Sequence, residues 1–252
     1  MQQHSTTGLS RTRRLSLIAS FAALYTVLRI IPSFPMIGVS GMFSASDFIA
    51  PLYGILLGPY IGGASIIIGT FLAISLGKPM IFLGLDFLPA ATGAITMGLL
   101  MKRKFMHATA IYIVILLIFV ANPLTLIFVG LPNGISFPYN WLHIIALVLL
   151  ISPLSRKAID WISNPVRAYR IWGMLILCLI GTMIQHITGG LLFESVFGLV
   201  LGVIQPEAWP AIWTGIFFVY PVERAVITVV AALIGAASYR TLRVWLNRTN
   251  IV

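Results

Sequence analysis

Apolar runs of about the length needed to cross a bilayer recur along this chain, and its basic residues fall in short clusters between them. In lipid the backbone polar groups have no water to bond, so each run must satisfy its own N–H and C=O groups as a helix. The roughly ten-residue alternating segments of an outer-membrane barrel are absent. With 59% hydrophobic and 9% charged residues, the chain also lacks the roughly one-quarter charged content that coats a soluble domain. The expected fold class is all-α, a polytopic transmembrane helical bundle.

Breaks in the pattern give the expected organisation. Residues 1–10 read as a polar, disordered tail. A first span over 14–31 follows Arg11, Arg13 and Arg14, and no small-x-small cleavage site comes after it, so it reads as a retained helix. Pro32 and Pro35 end it. Gly58–Pro59 divides the next apolar run into a short piece, 47–57, and a fuller span, 60–76. Spans over 81–100, 108–131, 139–151, 171–190 and 212–238 complete a set of about eight segments (range six to nine), with 191–204 not crossing. This parity puts Arg11 to Arg14, Lys102 to Lys104, Arg156 to Arg170 and the tail with Arg240, Arg243 and Arg248 on one side of the membrane. Basic residues concentrate on the cytoplasmic side, so the expectation is a multi-pass protein of the cell membrane with both termini cytoplasmic.

Sixteen Lys and Arg against six Asp and Glu leave a net charge of +10. Scattered between apolar runs, these charges read as topology determinants and not as a nucleic-acid surface. The single Cys178 lies inside an apolar run and reads as a small buried hydrophobe. A phosphate-binding GxxxxGK[ST] loop and an HExxH helix are both missing. Six acids and four histidines offer little for a metal or redox centre. No cofactor, metal or catalytic residue is expected, and an enzyme is disfavoured. Neither half resembles an inverted copy of the other, which weakens a stand-alone secondary transporter.

Polar side chains at depth are costly and tend to face a bundle interior or cavity. The expected topology puts Asp47, Asp86, Asn122, Gln185, His186 and Glu194 towards the outer half, with Arg29 and Tyr25. That asymmetry suits an externally open small-molecule pocket, so the six are candidate substrate-binding residues. Alternatives stay open: Asp47 is also placed to cap the helix after Ser44 or Ser46, and His186 to hydrogen-bond within the bundle. Glu223 and Arg224 read as an intramembrane polar pair about 100° apart on one helix, each partnered by another helix. Gly54, Gly58 and Gly62 recur every four residues, as do Ala19 and Ala23, a spacing that lets helices approach closely. Tyr139 and the tryptophans at segment ends, Trp209 and Trp213 among them, read as interface anchors.

The stretch over 11–104 resembles the substrate-capture (S) subunits of energy-coupling-factor vitamin transporters. The resemblance rests on the basic start, the alanine-rich first helix over 19–25, the Pro/Gly loop over 32–41, and Asp47 leading into LYGILLGPYIGG at 52–63. It implies a domain plan of a tail (1–10), an S-subunit-like membrane region (11–104) and further transmembrane helices of the same domain (105–252). The implied function is capture without chemistry: a vitamin-like small molecule binds in the outer half, the loop over 32–46 closes on it, and separate transmembrane coupling and ATPase subunits drive uptake. The resemblance further implies that Ala19 and Ala23 dock against the coupling subunit. A membrane-embedded enzyme with a composite polar site and a structural or assembly protein are the rival readings.

Overall fold

The structure, a computed structural model, describes residues 11–39, 41–132 and 134–248; the tail expected over 1–10 lies outside them. Eight α-helices and two small hairpins are present among the described residues. Helix α1 (Arg11–Ile30) buries Leu17, Ala22, Tyr25, Thr26 and Arg29, a stripe one helical face wide. Pro32 stops it, since proline carries no N–H and disfavours helix before it. Strand β1 (Pro32–Pro35) then pairs antiparallel with β2 (Met42–Ser44), and a 3-10 turn over Ala45–Phe48 leads into α2 (Ala50–Ser75).

Helix α2 is broken at Gly58, whose φ of 78° and ψ of 176° lie outside any helix. A Cβ on Gly62 would fall 2.5 Å from the Tyr53 carbonyl oxygen. Nine residues of straight helix would hold these positions roughly 13 Å apart, so the chain folds back at the break. Glycine is required for that φ, and also for the approach of α3 (Leu88–Met101): Cβ atoms on Gly54 and Gly98 would collide with the backbones of Ala94 and Pro59. The glycine spacing thus serves packing within the chain.

The remaining helices are α4 (Phe105–Ala121), α5 (Trp141–Ile151), α6 (Pro153–Trp161), α7 (Arg167–Glu194) and α8 (Trp209–Arg248). Between α4 and α5, β3 (Phe128–Gly130) pairs with β4 (Ser136–Pro138). A π-helical stretch over Ser195–Val200 continues α7, so residues 191–204 form no separate segment. The main core joins α2 to α8 around Leu52, Met97, Leu177, Ile184 and Trp213, and a second cluster joins α1, α2 and α3 around Tyr25, Tyr53 and Ile66.

The expectation of about eight membrane segments is not met. By length and composition, three helical stretches qualify as spans: Ala50–Ser75, Arg167–Val200 and Pro206–Leu242. A fourth is added only if α5 and α6, bent by 74°, count as one. The shortfall has local causes. Helix α1 holds Arg11, Arg13, Arg14 and Arg29 in 20 residues. Helix α3 starts at Leu88 and not near residue 81, because the preceding turn has Gly84 at φ 89° and is held by the Asp86 carboxylate. Helix α4 stops at Ala121, where Pro123 follows and the Asn122 side chain accepts the Leu124 N–H. Pro153 ends α5 and opens α6, whose first turn is capped by the Ser152 hydroxyl accepting from Leu154 N at 3.2 Å.

The exterior nevertheless suits lipid. On α4, Ala108, Tyr112 and Phe119 are buried, while Ile113, Val114, Leu117 and Ile118 are exposed. On α8 the exposed positions include Val222, Val226, Val229 and Leu233. Water-soluble monomers rarely present apolar faces of this extent. The molecule is a largely helical protein with long apolar helices, broadly consistent with a membrane-embedded one.

Candidate functional site

A cavity of about 120 Å³ lies where α1 and α7 finish and α3 and α8 begin, with the β1–β2 hairpin and the 76–87 connection along its side. Its charged lining comprises Arg29, Asp47, Lys78, Asp86, Glu223 and Arg224. Gln185 and His186 add neutral polar groups, and Phe43, Phe82, Phe193, Trp213 and Tyr220 supply aromatic surface.

Each polar side chain is placed by the local chain. Asp47 sits in the 3-10 turn, where Oδ2 accepts the Ser44 N–H at 2.8 Å and Oδ1 accepts from Gln185 Nε2 at 3.0 Å. It therefore caps the turn and ties it to α7, while remaining at the cavity wall. Asp86 accepts the N–H groups of Ile81 and Phe82 at 2.9 and 3.1 Å, closing the turn ahead of α3. Arg29, in the last turn of α1, donates to the Asp86 carbonyl oxygen at 3.1 Å and lies 3.9 Å from its carboxylate. Lys78 donates to the Ser44 hydroxyl at 3.2 Å. Partial burial lowers the lysine's pKa from its ordinary value, Arg29 lowers it further, and Asp47 and Asp86 oppose both.

On the facing wall, the Arg224 guanidinium lies 5.5 Å from the centre of the Phe43 ring and 3.6 Å from Glu223 Oε2. The two side chains meet each other, contrary to the expectation that each would find a partner on a different helix. His186 Nδ1 is 3.0 Å from His143 Nε2, and its ring stacks on Tyr220 with centroids 4.9 Å apart. The stack passes on through His143 to Tyr139.

Of the candidates named from sequence, Asp47, Asp86, Gln185 and His186 line the cavity, with Glu223 and Arg224. Asn122 and Glu194 do not: the Asn122 side chain accepts the Leu124 N–H at the end of α4, and the Thr125 hydroxyl faces the Glu194 carboxylate, 2.8–2.9 Å from its two oxygens. Ala19 and Ala23 are on the exposed face of α1. Lys78, which also lines the cavity, is not among the candidates read from sequence, and Arg29 enters there only as part of the outward polar bias. Trp209, Trp213 and Tyr139 read from sequence as interface anchors, yet all three are 1% exposed. Trp213 is fixed by its ring N–H donating to the Leu124 carbonyl oxygen at 2.9 Å. Among the described residues, no group of three or more His, Cys, Asp or Glu side chains is placed to hold a metal ion.

Fold and site together define a helical protein of membrane type with a charge-lined cavity at one end. No family model matches the chain, and no solved structure matches it significantly. It is similar to an uncharacterized protein of Methanocaldococcus jannaschii, at 24% identity over 200 residues. The matched stretch covers 79% of this chain and 61% of that protein's length.

Proposed function

We propose that this chain is a substrate-binding membrane subunit that captures a vitamin-like small molecule for uptake, energised by separate coupling and ATPase subunits. The observation that carries this reading is the cavity, which gathers six charged side chains from segments spread between residues 29 and 224. Concave sites with a few converging polar groups on an apolar wall are where small ligands bind. The hairpin following α1 contributes Met36, Ile37, Met42 and Phe43 to the wall, and in this reading it is the part that closes over the ligand. Lys102, Lys104, Arg156 and Arg240 lie on segments ending or starting at the opposite end. With basic residues inside, the cavity opens outward and both termini face the cytoplasm.

The exposed Ala19 and Ala23 leave a low-relief strip on α1, suited to close approach by a helix of the coupling subunit. Trp at both positions is expected to abolish uptake and co-purification with that subunit while sparing substrate binding. Normal co-purification of the double variant overturns the docking face.

A second reading has one observation in its favour: Asp86, His186 and Glu223 converge on the cavity, as a composite membrane-embedded active site would require. Asp86 is already engaged by two backbone N–H groups, and His186 by His143, so both are occupied in holding the fold. Chemical conversion of a bound ligand by the purified chain would favour the enzyme over the capture subunit.

A further inference from the structure

Arg224 is the cavity cation whose hydrogen-bonding capacity goes unused at the greatest depth. It is 1% exposed, and neither Nε nor Nη2 has a hydrogen-bond partner. These two nitrogens form one edge of the planar guanidinium, and their parallel N–H bonds match the two oxygens of a carboxylate. Glu223 Oε2, 3.6 Å from Nη2, supplies opposite charge at a distance too long for a hydrogen bond. Against the Phe43 ring the guanidinium plane is held in place. A buried cation with idle donors costs stability, and a ligand anion would remove that cost.

Charge narrows the class further. Arg29, Lys78 and Arg224 balance Asp47, Asp86 and Glu223 around the cavity. A dianionic phosphate would add uncompensated negative charge among three carboxylates, whereas a ligand bearing one charge of each sign keeps the balance. Asp47 and Asp86 are closed by donors of the fold. Glu223 pairs only with Arg224 among the described residues, and that contact is long. At about 120 Å³ the cavity is several times the roughly 10–15 Å³ that one water needs, which is room for a small organic molecule.

Building on the capture reading, we propose that the ligand is a small zwitterion. Its carboxylate takes the Nε–Nη2 edge of Arg224, its cationic nitrogen faces Glu223, and its apolar body lies against Trp213 and Tyr220. The test is calorimetric titration of the purified full chain in lipid nanodiscs with four matched ring compounds: para-aminomethylbenzoate (zwitterion), benzoate (anion), benzylamine (cation) and para-toluamide (neutral). The zwitterion is expected to bind about tenfold or more tighter than each of the others, as charge-assisted hydrogen bonds require. Arg224→Lys keeps the charge but not the edge, and should close the gap to benzylamine; Glu223→Gln should close the gap to benzoate. If the lysine variant does not fold, the Glu223→Gln titration alone decides.

Toluamide binding as tightly as the zwitterion, or gaps unchanged in the variants, overturns the zwitterion class and leaves capture standing. Where none of the four compounds binds, the molecule retained by gently purified protein decides. A retained zwitterion supports the proposal, any other retained molecule overturns the class alone, and bare protein overturns both class and capture.

Discussion

On the wall built from α1, the 3-10 turn and the 76–87 connection, each carboxylate is closed by donors of the fold: Asp47 by Ser44 N and Gln185, Asp86 by two backbone N–H groups with Arg29 beside it. The wall built from α8 is different, for Arg224 keeps two buried nitrogens without partners and meets Glu223 only at 3.6 Å. Both walls carry charge at similar depth, so exposure does not separate them. Satisfaction does. A closed ionic group holds the structure together, while an open one is a standing cost that a bound partner can relieve.

The largest expected effect falls on the closed wall. Asp86→Ala strips the acceptor from Ile81 N and Phe82 N; each buried N–H left without a partner costs about 1–3 kcal/mol. Unfolding in mixed micelles reads this directly, and a loss below about 1 kcal/mol would erase the contrast between the walls. Arg224→Gln should behave in the opposite way. Removing an unsatisfied buried cation is expected to leave ligand-free stability unchanged or raised by up to about 1 kcal/mol, with binding lost, as at sites where function opposes stability. A destabilisation matching that of Asp86→Ala would make Arg224 structural.

Lys78 gives a smaller effect that depends on pH. Burial penalises its charged form, so between its lowered pKa and the ordinary 10.5 the folded protein holds fewer protons than the unfolded one. Stability should therefore rise with pH through that window, and Lys78→Gln should flatten the rise; a steeper slope in the variant would reverse the assignment. The smallest effect is the surface control. Arg103 and Asp160 form an ion pair with both side chains more than half exposed, so Asp160→Asn should change stability by less than about 0.5 kcal/mol. A larger change would mean that exposure, and not satisfaction, sets the scale.

Much of this arrangement could be read from residue type and position. Gly58–Pro59 marked the break in α2, because few residues other than glycine accept φ near 78°. Reasoning from depth named Asp47, Asp86, Gln185 and His186, which meet at the cavity, and also Asn122 and Glu194, which do not. Depth fixes one coordinate of three. The contact between Gln185 and Asp47 spans 138 positions, and nothing local in either segment announces it. Lys78 was hidden for a related reason: beside Pro79 it reads as a solvated turn, and only the fold carries that turn over the cavity. Helix lengths do not follow from apolar runs, because apolar residues continue past the ends of helices; 126–131 is apolar, yet Pro123 and the β3–β4 pairing divert it. Trp209 and Trp213 sit at a segment end, as anchors do, but face the core instead of the interface.

Native mass spectrometry of the gently purified chain, wild type beside Arg224→Gln, tests the central claim most directly. A cavity open for a ligand on its α8 side predicts a small organic molecule retained on the wild type and absent from the variant. Bare wild-type protein, or the same adduct on both chains, would contradict it.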